Sequence, residues 1–132
     1  MRVRHGSLAA RVIGRVLSAV YRPMPLLVFQ TSRIGPGLFV EHGFATVVSA
    51  HEIGEGCQIN QQVTVGWTGR GKPRIGSHVE IGAGAKVLGP VTVGDGAWIG
   101  ANAVVVRDVP AGMTAVGVPA QVRPHGADAE AS

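Results

Sequence analysis

The sequence predicts an all-β fold, a solenoid of six-residue repeats preceded by one short helix. Three observations predict it: an aliphatic residue returns at about every sixth position, glycine often follows it, and 20 glycines stand against only three Phe, two Trp and one Tyr in 132 residues. A period of six fits neither the 3.6-residue turn of an α-helix nor a simple alternating strand. It fits short strands joined by tight turns, with one aliphatic side chain of each repeat pointing inward.

The six-residue spacing shifts by one residue near Thr46. Thr46 stands where an aliphatic residue is expected, and we assign that position to Val47, one residue later. The aliphatic positions are then Ile34, Val40, Val47, Ile53, Ile59, Val65, Ile75, Ile81, Val87, Val93, Ile99 and Val105. Each buried Ile or Val contributes roughly 2 kcal/mol, so these positions offset chain entropy without a bulky core.

A second set of inward positions follows four residues after the aliphatic ones and holds small or β-branched side chains. Cys57 is one of them and is therefore predicted to be a small core residue rather than a reactive thiol. The set comprises Cys57, Val63, Val79, Ala85, Val91, Ala97, Ala103 and Val109. By the same spacing His51 follows Val47, which predicts a partly buried histidine hydrogen-bonded to its turn.

The first 33 residues form a separate segment, predicted to be an amphipathic helix and its lead-in. Apolar residues from Ala9 to Val20 fall at helical spacing, the arginines lie largely elsewhere, and Pro23 ends the run. One interpretation is a helix that packs its apolar face on an oligomer. The alternative is a basic amphipathic helix that lies on the surface of an anionic membrane.

Charge and composition exclude several classes of function. The net charge of +4 is uneven, because residues 1–40 hold six arginines and no acid, whereas residues 41–132 hold six basic and eight acidic residues. A nucleic-acid surface needs a wider basic face with stacking aromatics, so no nucleic-acid partner is expected. No apolar run approaches the roughly 20 residues of a membrane span. A single cysteine and the absence of a signal-peptide pattern favour the cytoplasm.

Three stretches resemble the hexapeptide-repeat acyltransferases, closest to the serine O-acetyltransferase branch and related acetyltransferases of polysaccharide gene clusters. They read "IGPGLFVEHG", "IGEGCQINQQVTVG" and "RIGSHVEIGAGAKVLGPVTVGDGAWIGANAVVVRDVPAGMTAVGVPA". The resemblance covers residues 34–122 and implies a left-handed parallel β-helix of triangular section. It also implies a homotrimer with active sites between neighbouring subunits. Residues 123–132 are expected to form a disordered tail.

The resemblance also implies catalytic residues. In "LFVEHG", His42 corresponds to the family's general base and Glu41 to a carboxylate that orients or binds the acceptor. An alcohol is almost un-ionised at neutral pH, whereas a neutral imidazole can take its proton during attack on a thioester. The aspartate that holds the family's histidine has no counterpart in "PLLVFQTS". The alternative is that His42 is only an exposed turn residue.

Between Val65 and Ile75 the repeat is interrupted by a loop, residues 66–74, of the kind that carries binding residues on a rigid scaffold. By resemblance this loop flanks the acyl-donor channel, with Gly66, Trp67 and Thr68 along the coenzyme. Lys72 stands where the family has a carboxylate-binding histidine, but Gly71 replaces the arginine before it. Candidate acceptor-binding residues are accordingly Glu41, Arg70, Lys72 and Arg74.

The resemblance extends the acetyl-CoA site to later repeats. Ala83 and Ala101 stand where backbone amides of the family meet the pantetheine arm, and small side chains allow that close approach. Candidates for the phosphates are Lys86, Arg107 and Arg123. Zinc-binding γ-class carbonic anhydrases share the fold, but the closely spaced histidines of that class are missing here, so no metal is expected.

The sequence therefore favours an acetyl-CoA-dependent O-acetyltransferase that resembles the serine acetyltransferases. Two alternatives remain open: acetyl transfer to a sugar hydroxyl of a polysaccharide precursor, and a non-catalytic trimeric solenoid that serves as a scaffold. The long helical N-terminal domain of well-known serine acetyltransferases has no counterpart in this sequence, so we expect a trimer rather than a hexamer.

Overall fold

The computed structural model describes residues 8–20, 27–31 and 33–126. It contains one helix, α1 (Leu8–Val20), followed by very short strands. The strands are β1 (Leu27–Phe29), β2 (Phe39–Val40), β3 (Thr46–Val48), β4 (Glu52–Ile53), β5 (Gln58–Ile59), β6 (Thr64–Gly66), β7 (Arg74–Ile75), β8 (Glu80–Ile81), β9 (Lys86–Leu88), β10 (Thr92–Val93), β11 (Trp98–Ile99), β12 (Val104–Val105), β13 (Met113–Val116) and β14 (Gln121–Pro124). Residues 1–7, with Arg4, and residues 21–26, with Arg22 and Pro23, lie outside the described ranges.

The strands form three sheets around one core, and the chain visits the sheets in turn. Sheet 1 has the order β1-β3-β6-β9-β12, sheet 2 the order β10-β7-β4, and sheet 3 the order β14-β13-β11-β8-β5-β2. All pairings are parallel except β13 with β14. The result is a solenoid of about four turns. The predicted all-β class, a parallel solenoid with a short helix ahead of it, is confirmed.

Inward side chains stack on their equivalents in the next turn and fill the core. Ile59, Ile81 and Ile99 lie in register on sheet 3 and are at most 1% exposed. The second set of inward positions, predicted from Cys57 to Val109, is buried throughout. Dispersion contacts between like side chains therefore replace the large aromatic core of an ordinary domain.

The position assigned to Val47 is wrong. Val48 is the inward residue of β3: it is fully buried and in register with Val65, whereas Val47 is half-buried and pairs with Thr64. Relative to a six-residue repeat, two residues are added before Val48 and one is missing between it and Ile53. The sequence shows only the sum of the two changes, a shift of one residue.

His51 is also placed differently from the prediction. It is exposed, and the neighbouring Ala50 takes the core position that the spacing had given to His51. The backbone N–H of His51 donates to the carbonyl of Pro73 at 2.7 Å. The prediction of a partly buried His51 ring is therefore wrong.

Three corners join the sheets, and we number them along the chain. The first corner leads from sheet 3 to sheet 1, the second from sheet 1 to sheet 2, and the third from sheet 2 to sheet 3. Glycine is required at the third corner because successive turns touch there through their backbones. A Cβ on Gly54 would lie 2.5 Å from the amide nitrogen of Ser77, and one on Gly35 would lie 2.6 Å from that of Glu55. A side chain at either position would push the turns apart.

The C-terminal end of the solenoid is closed by β14, which runs antiparallel to β13. His125 follows it and lies over sheet 3, with its Nδ1 3.1 Å from the hydroxyl of Thr114 and its ring edge-on to Trp98. Residues 123–126 thus belong to the folded domain, and the prediction of a disordered tail from residue 123 is wrong for them. Residues 127–132 lie outside the described ranges.

Cys57 is 1% exposed, and its Sγ donates to the carbonyl of Gly76 at 3.0 Å. Burial raises the pKa of the Cys57 thiol above its ordinary value. The neutral thiol is therefore the form that the fold favours, as expected for a small core residue.

Candidate active site

His42 lies in the first corner of the first turn, which is longer than its counterparts. Residues 41–45 separate β2 from β3, whereas residues 60–63 separate β5 from β6. Ala45 (φ 51°) has the left-handed conformation that Gln62 and Asn102 adopt in later turns. His42 (φ 54°) is an additional left-handed residue that the longer corner introduces. Histidine tolerates this conformation better than most residues do.

The imidazole of His42 points to solvent. The residue is exposed, and its ring makes no hydrogen bond, ion pair or ring contact with any part of the chain that the structure describes. No residue in the described part of the chain therefore makes a contact that would set the tautomer of this imidazole.

The backbone around His42 is held firmly although its side chain is free. The amide of Phe44 donates to the carbonyl of His42, and the carbonyl of Phe44 accepts from Gln62 at 3.0 Å. Thr46 is fully buried, with its hydroxyl 3.2 Å from the carbonyl of Phe44 and 3.4 Å from that of Asn60. Thr46 thus helps to fix the backbone of the corner that carries His42. The sequence analysis missed this role, because Thr46 breaks the aliphatic repeat.

The carboxylate of Glu41 is oriented by the next turn. The backbone N–H of Glu41 donates to the carbonyl of Ile59 at 2.9 Å, and Oε2 of the Glu41 carboxylate accepts from Nε2 of Gln58 at 3.2 Å. The same nitrogen lies 3.4 Å from Oδ1 of Asn60. The register of β2 on β5 brings the two side chains together, since Phe39 pairs with Gln58 and Glu41 follows two residues later.

The loop of residues 66–74 lies at the second corner. Thr68 and Gly71 exchange backbone hydrogen bonds of 3.1 and 3.0 Å, which closes a tight hairpin. Trp67, Arg70 and Lys72 are exposed. A shallow cavity of about 470 Å³ separates the hairpin from the next turns and is lined by Thr68, Gly69, Arg70, Leu88, Gly89, Pro90 and Val106.

Two predicted binding cations already contact the chain itself. Arg74 lies on β7 and pairs with the Glu52 carboxylate at 2.9 Å on the outer face of sheet 2. Lys86 lies on β9 and donates to the carbonyls of Gln62 and Gly84 at 3.0 and 2.9 Å. In one chain both therefore stabilise the solenoid wall. Arg107 is exposed at the second corner.

A family model described as bacterial transferase hexapeptide (six repeats) matches residues 72–107. A serine acetyltransferase of Helicobacter pylori strain J99 is 45% identical over 115 residues, which cover 83% of this chain and 67% of the relative. The chain belongs to the serine acetyltransferase family. A serine acetyltransferase of Synechococcus elongatus is 43% identical over 117 residues, covering 84% of this chain and 48% of that relative. The resemblance inferred from the repeats is thereby confirmed.

Solved serine acetyltransferases have the same fold. The Brucella abortus enzyme superposes with a TM-score of 0.66 at 42% identity, covering 70% of this chain and 39% of its own. The Neisseria gonorrhoeae enzyme in complex with serine gives 0.65 at 40% identity, covering 69% of this chain and 39% of its own. The chain therefore spans between about two fifths and two thirds of the length of these serine acetyltransferases.

In this family member the predicted site residues fall into two groups, on opposite edges of sheet 1. The first corner carries Glu41 and His42, with Ala83 and Ala101 in the equivalent corner of later turns. The second corner carries the loop and Arg107. The strands between the corners are two or three residues long, and at ~3.3 Å per residue they alone hold the groups roughly 7–10 Å apart. One chain does not bring the two groups together.

Metal ligation finds no support in the part of the chain that the structure describes. Within those ranges no three His, Cys, Asp or Glu side chains lie close enough to hold a metal ion. His42, His51 and His78 sit at three different corners.

Proposed function

We propose that this protein transfers the acetyl group of acetyl-CoA to the hydroxyl of serine, with His42 as general base. The observation that carries the proposal is the 45% identity to a serine acetyltransferase over 83% of this chain. The geometry of His42 supports it: a solvent-facing imidazole on a backbone fixed by hydrogen bonds is free to meet an acceptor hydroxyl. The structure of the Neisseria gonorrhoeae relative in complex with serine supports serine as the acceptor.

In the proposed reaction the imidazole accepts the proton of the hydroxyl as its oxygen bonds to the thioester carbonyl carbon. The carbon–sulfur bond then breaks, and the coenzyme leaves as a thiol after taking the proton from the imidazolium. A positioned base of this kind is typically worth ~10²–10⁴ in rate. Glu41 keeps one carboxylate oxygen, Oε1, without a hydrogen bond among the described residues. We assign that oxygen to the ammonium group of serine.

We further propose that the chain assembles as a homotrimer with each active site shared by two copies. The separation of the two groups on sheet 1 supports this, since a closed cyclic assembly sets the first corner of one copy against the second corner of the next. Arg70 and Lys72, both exposed in the loop, are then the candidates for the serine carboxylate. Arg74 is the weaker candidate because Glu52 already pairs with it.

The acetyl-CoA molecule is proposed to run along this shared cleft. Gly66, Trp67 and Thr68 flank it from the loop, where the shallow cavity beside the hairpin supports a binding role. Ala83 and Ala101 line the other side with small side chains, and Lys86 on β9 and the exposed Arg107 are the candidates for the coenzyme phosphates. Arg123 lies on β14 in sheet 3 and is not retained in the proposal. The acyltransferase domain comprises residues 34–122 together with the closing strand, and the cytoplasm remains the expected location.

Release of free thiol from acetyl-CoA tests the proposed activity. We expect turnover that depends on serine and stays near the hydrolysis rate with simple sugars. The proposed loop cations explain this preference for serine, because serine has a carboxylate that a neutral sugar lacks. Turnover with a sugar alone would replace serine by a carbohydrate acceptor, and no thiol release with any acceptor would favour a non-catalytic scaffold.

Mixing two inactive variants tests the shared site. His42→Ala removes the base, and Arg70→Ala with Lys72→Ala removes the loop cations, so each variant alone should be nearly inactive. When the two are co-expressed, about a quarter of the sites in a randomly mixed cyclic trimer combine an intact corner with an intact loop. Recovery of serine-dependent turnover towards that fraction is expected. No recovery in isolated mixed trimers would place the whole site within one chain.

A further inference from the structure

The apolar face of α1 is not covered by the rest of the described chain. Its five large aliphatic side chains are each more than half exposed: Leu8 78%, Val12 53%, Ile13 57%, Val16 57% and Leu17 59%. At about 100° per residue they lie on one side of the helix, with the exposed Arg15 at the edge of that apolar face and the exposed Arg11 and Gly14 on the opposite side. A helix of 13 residues is marginal by itself in water, so it needs a surface to lie against.

The first turn of the solenoid presents similar chemistry. Ile34 is 43% exposed, Phe39 58% and Phe44 48%, and Arg33 is exposed beside them. These side chains are open because the first turn has a neighbour on one side only: β2 pairs with β5, and Ile34 bridges Ile53. Residues 21–26 tether α1 to β1, and six residues span at most about 21 Å. The helix therefore stays close to this end of the solenoid.

The charge distribution indicates what these surfaces contact. Residues 1–40 contain six arginines and no acidic residue, whereas residues 41–132 contain six basic and eight acidic residues. Packing on a second protein copy requires apolar complementarity but does not explain six arginines in a segment without an acidic residue. An anionic lipid surface explains them, because electrostatic attraction adds about 1 kcal/mol to the binding free energy for each arginine close to it.

We propose that α1 and the first turn dock on the surface of an anionic phospholipid membrane. The helix lies in the plane of the interface, with Val12 and its apolar neighbours among the upper acyl chains and the arginines at the lipid phosphates. Glu41 and His42 belong to the same first turn. The candidate active site is thus held near the membrane, whereas later turns extend into water.

Co-sedimentation of the full-length protein with vesicles tests this docking. We expect binding to vesicles that contain about one third phosphatidylglycerol in phosphatidylcholine, weak binding to phosphatidylcholine alone, and loss of binding as salt rises from about 0.05 to about 0.5 M. Replacing Arg11 and Arg15 with glutamine should weaken partition at least ~10-fold. Val12→Gln should weaken it by about tenfold through loss of apolar burial.

Gly14→Gln is the matched control, since it adds the same polar side chain to the opposite face, where a Cβ meets nothing within 4 Å. It should not weaken binding, and all variants should keep the melting temperature of the wild type. Equal binding to neutral and anionic vesicles, or no binding to either, would overturn the proposal. A second result would also overturn it: the wild type does not bind vesicles, and Val12→Gln lowers the particle mass measured by light scattering. In that case α1 packs on a second copy of the chain.

Discussion

Turnover of acetyl-CoA with serine is expected to fall at least ~10²-fold in His42→Ala, the usual worth of a positioned base. Assembly and coenzyme binding should be nearly unchanged, because the exposed ring of His42 contacts no other described residue and the proposed coenzyme contacts lie elsewhere. His42→Asn is the stricter variant. Asparagine tolerates the left-handed backbone at φ 54° but cannot act as the base. Thiol-release kinetics, light scattering and coenzyme titration measure the three quantities.

His78→Ala is the matched control for this experiment. His78 is also exposed and also left-handed, with φ 56°, but it lies at the third corner, where its nearest charged partner is Glu55 at 3.8 Å. Its removal should leave turnover unchanged. Full activity in His42→Ala and His42→Asn would reduce this histidine to a corner residue.

Replacing Ile81 with aspartate should abolish folding. Ile81 is 1% exposed between Ile59 and Ile99, so the carboxylate would be buried among stacked aliphatic side chains without a partner. An unpaired buried charge costs several kcal/mol, which is comparable to the total stability of a domain, about 5–15 kcal/mol. Circular dichroism should show no cooperative melting transition, and the protein should accumulate in the insoluble fraction.

Glu80→Ala is the control one residue away. Glu80 lies on β8 with its side chain facing outward, and its carboxylate makes no hydrogen bond or ion pair with another described residue. Its removal should change the melting temperature by no more than an ordinary surface substitution, within about 0.5 kcal/mol. Similar melting curves for the two variants would mean that the inward register of sheet 3 is wrong.

The repeat from Ile53 to Ile81 was predictable because each inward residue there has polar or glycine neighbours. Val87 and Val105 have aliphatic neighbours, and there the unbroken six-residue spacing identifies the inward side chain. At Val47 and Val48 two equivalent residues stand side by side, and only pairing with β6 decides between them. The C-terminal strand was missed because β14 is exposed along its whole length, so no hydrophobic pattern predicts it.

The candidate site was less predictable, because its two groups are related by the proposed trimer rather than by spacing along the chain. The resemblance identifies Glu41 and His42, and the interrupted repeat identifies the loop. Neither reveals that the groups lie on opposite edges of sheet 1, nor that Gln58 orients the carboxylate of Glu41. These relations depend on which strands become neighbours, and one sequence without its register does not contain them.

The reversal of chain direction at β14 limits growth at the C-terminal end of the solenoid. A stack of parallel turns with an open edge is a template on which further strands can add, as they do in a fibril. Here the edge of β13 is already occupied by a strand of opposite direction, which presents the wrong hydrogen-bonding pattern for another parallel turn. Pro124 lacks an N–H and Arg123 adds charge, and both features discourage pairing at the outer edge of β14. This end of the molecule is thereby protected against end-to-end polymerisation.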